Sequence, residues 1–379
     1  MPVYLDNAAT TPMRAEAVAA MLPFLRDRFG NPSGSHAVAR EARKALDEAR
    51  EIVAACLGAE PGEVVFTGGG TEADNLAVAG VHRLHPGPVV CSAVEHHAVL
   101  HACAALDGLL APVTADGVID FDALAELLGS EVTVVSVMLA NNEVGTIQPL
   151  AEVAEVVRRL APGAVLHTDA VAAFPWLDVA ALTRLADLVA VSAHKFGGPK
   201  GVGALVVRRG VKVAPLLHGG GQERDRRSGT HNVAAIVAMA AAMRATVDER
   251  AEVTARVGAL RDRLADGLLA AVPGAVETGL RAVKVAGNCH VSFEGVESEA
   301  LLMLLDGEGV YASAGSACAS GAVDPSHVLA AMGVSRARAL GSLRLTLGRD
   351  TTDADVDLAL GVIPPAVGRL LTLAAGPHP

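Results

Sequence analysis

The stretch DLVAVSAHKFGGPKGVGALVVRR covers residues 187–209. Two short β-branched runs, 187–194 and 203–209, flank a turn rich in Gly and Pro. Both runs read as buried strands. Lys195 stands where the first run gives way to the turn. In parallel α/β sheets, ligands bind beyond the carboxyl ends of the strands. A lysine placed there among apolar neighbours can have a lowered pKa and serve as an imine-forming amine. Taken alone, the same pair of residues also reads as a solvated loop, and Lys200 is a second candidate deeper in the turn.

Further runs of the same kind occupy 63–69 (EVVFTGG), 88–94 (PVVCSAV), 132–140 (VTVVSVMLA) and 164–171 (AVLHTDAV). Amphipathic helical patterns lie between several of them, as in 149–161, where Pro149 suits a helix entry. Strand and helix in alternation predict βαβ units and an α/β fold with a mostly parallel sheet. The pattern at 233–271 is one long helix, expected to lead into a smaller α+β unit built from a strand near 288, a helix near 298, and a strand and helix after 342. This places a large domain at 15–255 and a small one at 1–14 and 256–379.

Of the 379 residues, 51% are hydrophobic and 19% charged, and the net charge is −11, which argues against nucleic acid as a direct partner. No uncharged run approaches the roughly 18 apolar residues of a membrane span, and the N-terminus shows no signal-peptide pattern. Five cysteines are scattered without a CxxC pair, so neither a metal site nor a disulfide framework is expected, and the expected setting is a reducing cytoplasm. Cys56, Cys91, Cys103 and Cys289 fall on helix or strand patterns and read as structural thiols. Only five of the 31 basic residues are lysine, so a retained lysine is a candidate for chemistry that a guanidinium cannot perform.

Other strand ends carry complementary groups. Asp169 ends the run before Lys195, where a buried carboxylate could face a cationic ring nitrogen, although a helix N-cap explains it equally well. The turn TGGGTEADN (67–75) follows a strand and opens a helix, so the backbone at Gly70 and the hydroxyl of Thr71 could cradle a phosphate. It is neither a Walker A loop nor a dinucleotide fingerprint. His96 follows another strand and could stack on a flat ring, and Asn142 could donate to a phenolate oxygen. Each residue is ordinary alone. Together they fit pyridoxal 5′-phosphate better than any nucleotide.

The motifs YLDNAATTP (4–12), FGNPSGSH (29–36), EHHAVL (95–100), ANNEVGTIQP (140–149), SAHKFGGPKGVGAL (192–205), GGGQERDRRSGT (219–230), GSACASGAVDPSHVL (315–329) and SLRLTLGRDTT (342–352) run almost end to end. In order and spacing the chain resembles the NifS/IscS-type cysteine desulfurases, class V aminotransferase relatives of PLP-dependent fold type I. The resemblance implies a seven-stranded sheet, a homodimer and conversion of L-cysteine to L-alanine. Lys195 would hold the cofactor as an imine, Asp169 would pair with the ring nitrogen, and His96 would stack on the ring and act as an acid–base group. Thr71, Ser192 and His194 would hold the phosphate, and Thr230 would reach the phosphate of the other subunit. Asn142 would contact the phenolate oxygen and the substrate, with Asn7 near the substrate side and Arg344 clamping the substrate carboxylate. Cys318, on a bare segment of Ala, Ser and Gly, would take the sulfur as a persulfide for an acceptor protein in iron–sulfur cluster assembly or thiolation.

One departure stands out. The family usually has Gln three residues after the ring-nitrogen Asp; here DAVAAF (169–174) puts Ala172 there. That leaves Asn142 as the main phenolate donor and implies an altered imine pKa. Two other readings compete: a different PLP-dependent lyase, such as selenocysteine lyase or an epimerase-type relative, and a persulfide carrier whose PLP chemistry has weakened at Ala172. The Cys318 segment argues against the first, and Lys195, Asp169 and His96 against the second.

Overall fold

The computed structural model describes residues 2–314 and 325–374. After strand β1 (Val3–Tyr4) come helices α1 (Ala15–Arg26) and α2 (Ala37–Cys56). Strands and helices then alternate: β2 (Val64–Thr67), α3 (Gly70–Leu84), β3 (Val89–Ser92), α4 (His97–Ala104), β4 (Leu109–Ala111), α5 (Phe121–Leu127), β5 (Val134–Ser136) and α6 (Leu150–Leu160). The series ends with β6 (Val165–Asp169), α7 (Val179–Leu182), β7 (Leu188–Ser192) and β8 (Gly203–Val207). These seven strands make one sheet in the order β2-β8-β7-β6-β5-β3-β4. It is parallel from β7 to β4, while β8 runs antiparallel to both β7 and β2.

The strands lack polar alternation because both faces are covered. Phe66, Val90, Val135, Leu166, Val189 and Val206 pack on one side beneath α2, α6 and the start of the long helix. Val65, Cys91, Val134, Leu188, Ala190 and Leu205 pack on the other, beneath α3 and α4. β4 was not foreseen. It is a three-residue edge strand whose Leu109 and Leu110 are exposed, so it lacks the buried apolar run used to find the others.

α8 (Val233–Ala271) leaves this first core and enters a second. There β9 (Ala275–Glu277), β10 (Asn288–Phe293), α9 (Ser298–Gly307), β11 (Val310–Tyr311), α10 (His327–Ala331), α11 (Arg336–Ala339), β12 (Ser342–Thr346) and α12 (Asp353–Ala374) form the smaller unit. β12, β10 and β9 pair antiparallel, and β1 returns from the N-terminus to lie parallel to β11. Val3, Leu5, Val257, Leu264, Phe293 and Leu345 share the second core.

Asp353–Leu373 within α12 is long and apolar enough to cross a membrane by length and composition. Here it lays Val356, Ala359, Ile363 and Val367 into the second core. Cys91, Cys103 and Cys289 are buried, and Cys56 is half-buried. Cys318 lies outside the described residues.

Candidate active site

Five strand ends converge on one cavity with about 1110 Å³ of empty space, part of it open to solvent. Gly70, Thr71, His96, Asn142, Asp169, Ser192, His194, Lys195 and Arg344 all line it. Two of the residues singled out in the sequence lie elsewhere. Asn7 lines a neighbouring cleft, and its Nδ2 donates to the Thr346 carbonyl at 2.9 Å. Thr230 is exposed, on the loop before α8.

Lys195 closes a 3₁₀ turn (Ala193–Lys195) directly after β7. Its Nζ donates to the carbonyls of Ala8 and Ala9, the latter at 3.0 Å, so the N-terminal segment forms the wall behind the amine. His96 is the N-cap of α4 and accepts the Ala98 N–H on Nδ1 at 3.1 Å. A neutral ring with Nδ1 accepting carries its proton on Nε2. Burial, with the Lys195 charge nearby, pushes His96 down to about 4 and keeps it neutral. His194, Nδ1 against Thr10 Oγ1 at 3.2 Å, is likewise held at about 4 by burial and by Lys195 and Lys200.

Asp169 ends β6, and its Oδ1 accepts the Val171 N–H at 2.8 Å; a turn rather than a helix follows, so it caps no helix. Burial raises its carboxyl to about 6. Asp74, one turn along α3 from Thr71, is raised well above the usual range, first by burial and then by Asp169 and Glu95. Its Oδ1 lies 3.5 Å from His167 Nε2, and His167 Nδ1 lies 2.8 Å from Ser136 Oγ. Glu95 accepts the Met138 N–H at 2.6 Å and is also raised by burial. Three buried carboxyl groups thus crowd one end of the cavity. A cationic ring nitrogen placed there would stabilise Asp169 as the carboxylate.

The turn that opens α3 suits a phosphate. Gly69 adopts φ +149°, which an L-side chain rarely adopts. A Cβ on Gly70 would lie 3.0 Å from Val171 Cγ2 and 3.3 Å from Ser192 Cβ, so a side chain there would press on both neighbours. Thr71, Ser192, His194 and Lys200 surround the hollow beyond it. The residues present therefore fit pyridoxal phosphate: an amine, a ring-nitrogen carboxylate, a neutral imidazole and an anion cradle.

The loop leading to Thr230 is clamped from below. Glu223, Arg224 and Asp225 have φ of +50°, +59° and +63°, unusual for residues with side chains. Glu223 holds them in place. It accepts two bonds from Arg50 at 2.8 and 2.6 Å, the Phe66 N–H at 2.9 Å, and lies 2.6 Å from His231 Nε2. Arg227 then ties the loop to Glu72 on the first turn of α3 at 2.7 and 3.2 Å. Arg344 on β12 reaches the cavity beside Asn142, paired with Asp6 at 2.9 Å and donating to the Asn142 carbonyl at 3.3 Å.

Asp74, Glu95, His97, Glu143 and His327 also line or flank the cavity and were not singled out from the sequence. Asp74 and Glu95 sit inside the quoted motifs, but nothing in their spacing shows that both converge on Asp169.

The Aminotransferase class-V family model matches residues 3–359. An IscS-like cysteine desulfurase of Mycobacterium tuberculosis is 49% identical, with 97% of this chain and 96% of the relative covered. A cysteine desulfurase IscS of Methanosarcina thermophila is 44% identical over 98% of this chain and 93% of its own. Among solved structures, a NifS-like protein superposes with a TM-score of 0.91 at 36% identity, covering 97% of this chain and 100% of that one.

Proposed function

The chain belongs to the class-V aminotransferase family and to its IscS/NifS-type cysteine desulfurases, and from that premise we propose how its residues divide the work. The enzyme is a cysteine desulfurase. The observation that carries the assignment is the presence of Lys195, Asp169, His96 and the Gly70 turn around one cavity.

Lys195 Nζ would hold the pyridoxal phosphate, Asp169 would pair with its ring nitrogen, His96 would stack on the ring, and the Gly70–Thr71 turn with Ser192 and His194 would hold the phosphate. When bound, the cofactor supplies an electron sink for the substrate α-carbon. Asn142 faces the phenolate side, and Arg344 takes the substrate carboxylate in the bidentate manner of a guanidinium. Asn7 orients this wall from behind. Released as a free amine when substrate binds, Lys195 Nζ would remove the α-proton, and the neutral His96 would carry a movable proton on Nε2. The Cys318 thiolate would attack the substrate sulfur, the substrate Cβ–S bond would break, Cβ would gain a proton, and Lys195 Nζ would return to Cα the proton it took. L-Alanine leaves, and the sulfur remains as a persulfide on Cys318.

Residues 15–255 form the cofactor-binding domain in this reading, and residues 1–14 and 256–379 the smaller one. Thr230, exposed on its clamped loop, reaches the partner subunit's phosphate in a homodimer. The persulfide passes to an acceptor protein for iron–sulfur cluster assembly or thiolation, in the cytoplasm.

The test is a mass map of the purified protein after L-cysteine without reductant. One sulfur added at Cys318, alanine formed, and loss of both in Lys195→Ala support the assignment. Alanine formed while Cys318 stays unmodified overturns the role of Cys318.

A further inference from the structure

Behind the catalytic amine lies a second space that the reaction does not use. It is a cleft with about 840 Å³ of empty space, part of it open to solvent, between the two cores. It shares Ala8, Asn142, Ala172 and Lys195 with the cofactor cavity. Ala172, one of these shared residues, presents only a methyl group, and the cleft reaches Lys195. Its mouth lies at Glu249, Arg349 and Asp350, each at least a third exposed.

Two sides of the cleft differ in chemistry. One is apolar: Trp176, Val253, Val285 and Leu347 line it. Trp176 is fixed there because residue 287 is Gly; a Cβ at that position would stand 2.3 Å from Trp176 Cζ2. The other side carries arginines. Arg14 is almost fully buried, and its Nη2 pairs with Glu249 while its Nη1 has no partner among the described residues. Arg250 lies over the Phe174 ring at 5.2 Å, and neither its Nε nor its Nη2 has a partner among the described residues. Buried guanidinium N–H groups without acceptors are costly, and an anion is the group that satisfies them.

We propose that this cleft binds a short-chain aliphatic carboxylate, its head on Arg250 and Arg14 and its chain along Trp176 and Val253. The site stands apart from the substrate position at Arg344 and does not depend on the sulfur chemistry.

Trp176 is the only tryptophan in the chain and reports on the cleft directly. The holoenzyme is titrated with sodium hexanoate while its tryptophan emission is followed, with hexanol and sodium chloride in parallel. The expected result is a saturable change with hexanoate and at least roughly tenfold weaker binding of hexanol, which lacks the charge. Arg250→Gln should weaken hexanoate roughly tenfold, Arg250→Lys less, and Arg344→Lys should leave it unchanged. A response to hexanoate no different from that to hexanol or chloride overturns the proposal, and that comparison needs no variant. So does binding lost in Arg344→Lys and kept in Arg250→Gln, which would place the carboxylate in the substrate position.

Discussion

Glu223 offers the most demanding test of how the site is supported. Its side chain is 1% exposed and takes donors from Arg50, Phe66 and His231. Burial opposes its charge, but the hydrogen bonds of Arg50 and His231 prevail and pull the carboxyl from 4.5 down to about 2. A depression of that size corresponds to about 3 kcal/mol of stability at neutral pH. Because the folded pKa lies below the unfolded one, this stability is complete above about pH 4.5 and is lost as pH falls toward 2. Glu223→Gln should therefore cost about 3 kcal/mol at pH 7, and the deficit should shrink to about 2 kcal/mol near pH 3.5. Urea unfolding of the wild type and the variant at matched protein concentration, at both pH values, measures the difference. An unchanged midpoint at pH 7, or a deficit that stays constant or grows on acidification, would refute the reasoning. The variant should also retain the cofactor less well on dialysis, since Glu223 anchors the loop that carries Thr230.

Three further outcomes are expected. Arg224→Gly should stabilise the protein by about 1 kcal/mol, because Arg224 is exposed and held at φ +59°; a lower urea midpoint would contradict this. Asp74 has a raised pKa, so the wild type loses stability as pH rises above the ordinary carboxylate range; Asp74→Asn should match the wild type near pH 4 and exceed it in thermal midpoint at pH 8, and the reverse order would exclude the reading. Ala172→Gln should move the pH midpoint of the cofactor's visible band by restoring a donor on the phenolate side, and an identical spectral titration would count against any tuning at this position.

The sheet was legible because strands covered on both faces must be apolar, and turns must carry Gly and Pro. β4 escaped because a short exposed edge has no such constraint. The candidate site was legible wherever a reactive residue followed a strand: Lys195, Asp169, His96 and Asn142 were each found that way, and all four line one cavity. Glu223 was not, since its partner Arg50 is 173 residues away and only the fold brings them together. Asp74 and Glu95 were hidden for the same reason: an ordinary helix acid and a loop acid gain meaning only when both meet Asp169. Ala172 was noticed as a missing side chain, but a sequence cannot display the space such an absence leaves.

α8 has 39 residues and so spans about 58 Å. Its first half is embedded in the core beneath Lys195, and its second half in the core that presents Arg344. It therefore acts as a beam clamped at both ends, with the active site in the angle it subtends. A flexure of one degree at its middle would displace either end by roughly 0.5 Å, given a half-length of about 29 Å. Misplacement of about 1 Å can cost a reaction a hundredfold. The stiffness of this one helix, through its middle turns, thus sets how accurately the carboxylate clamp is aimed at the amine.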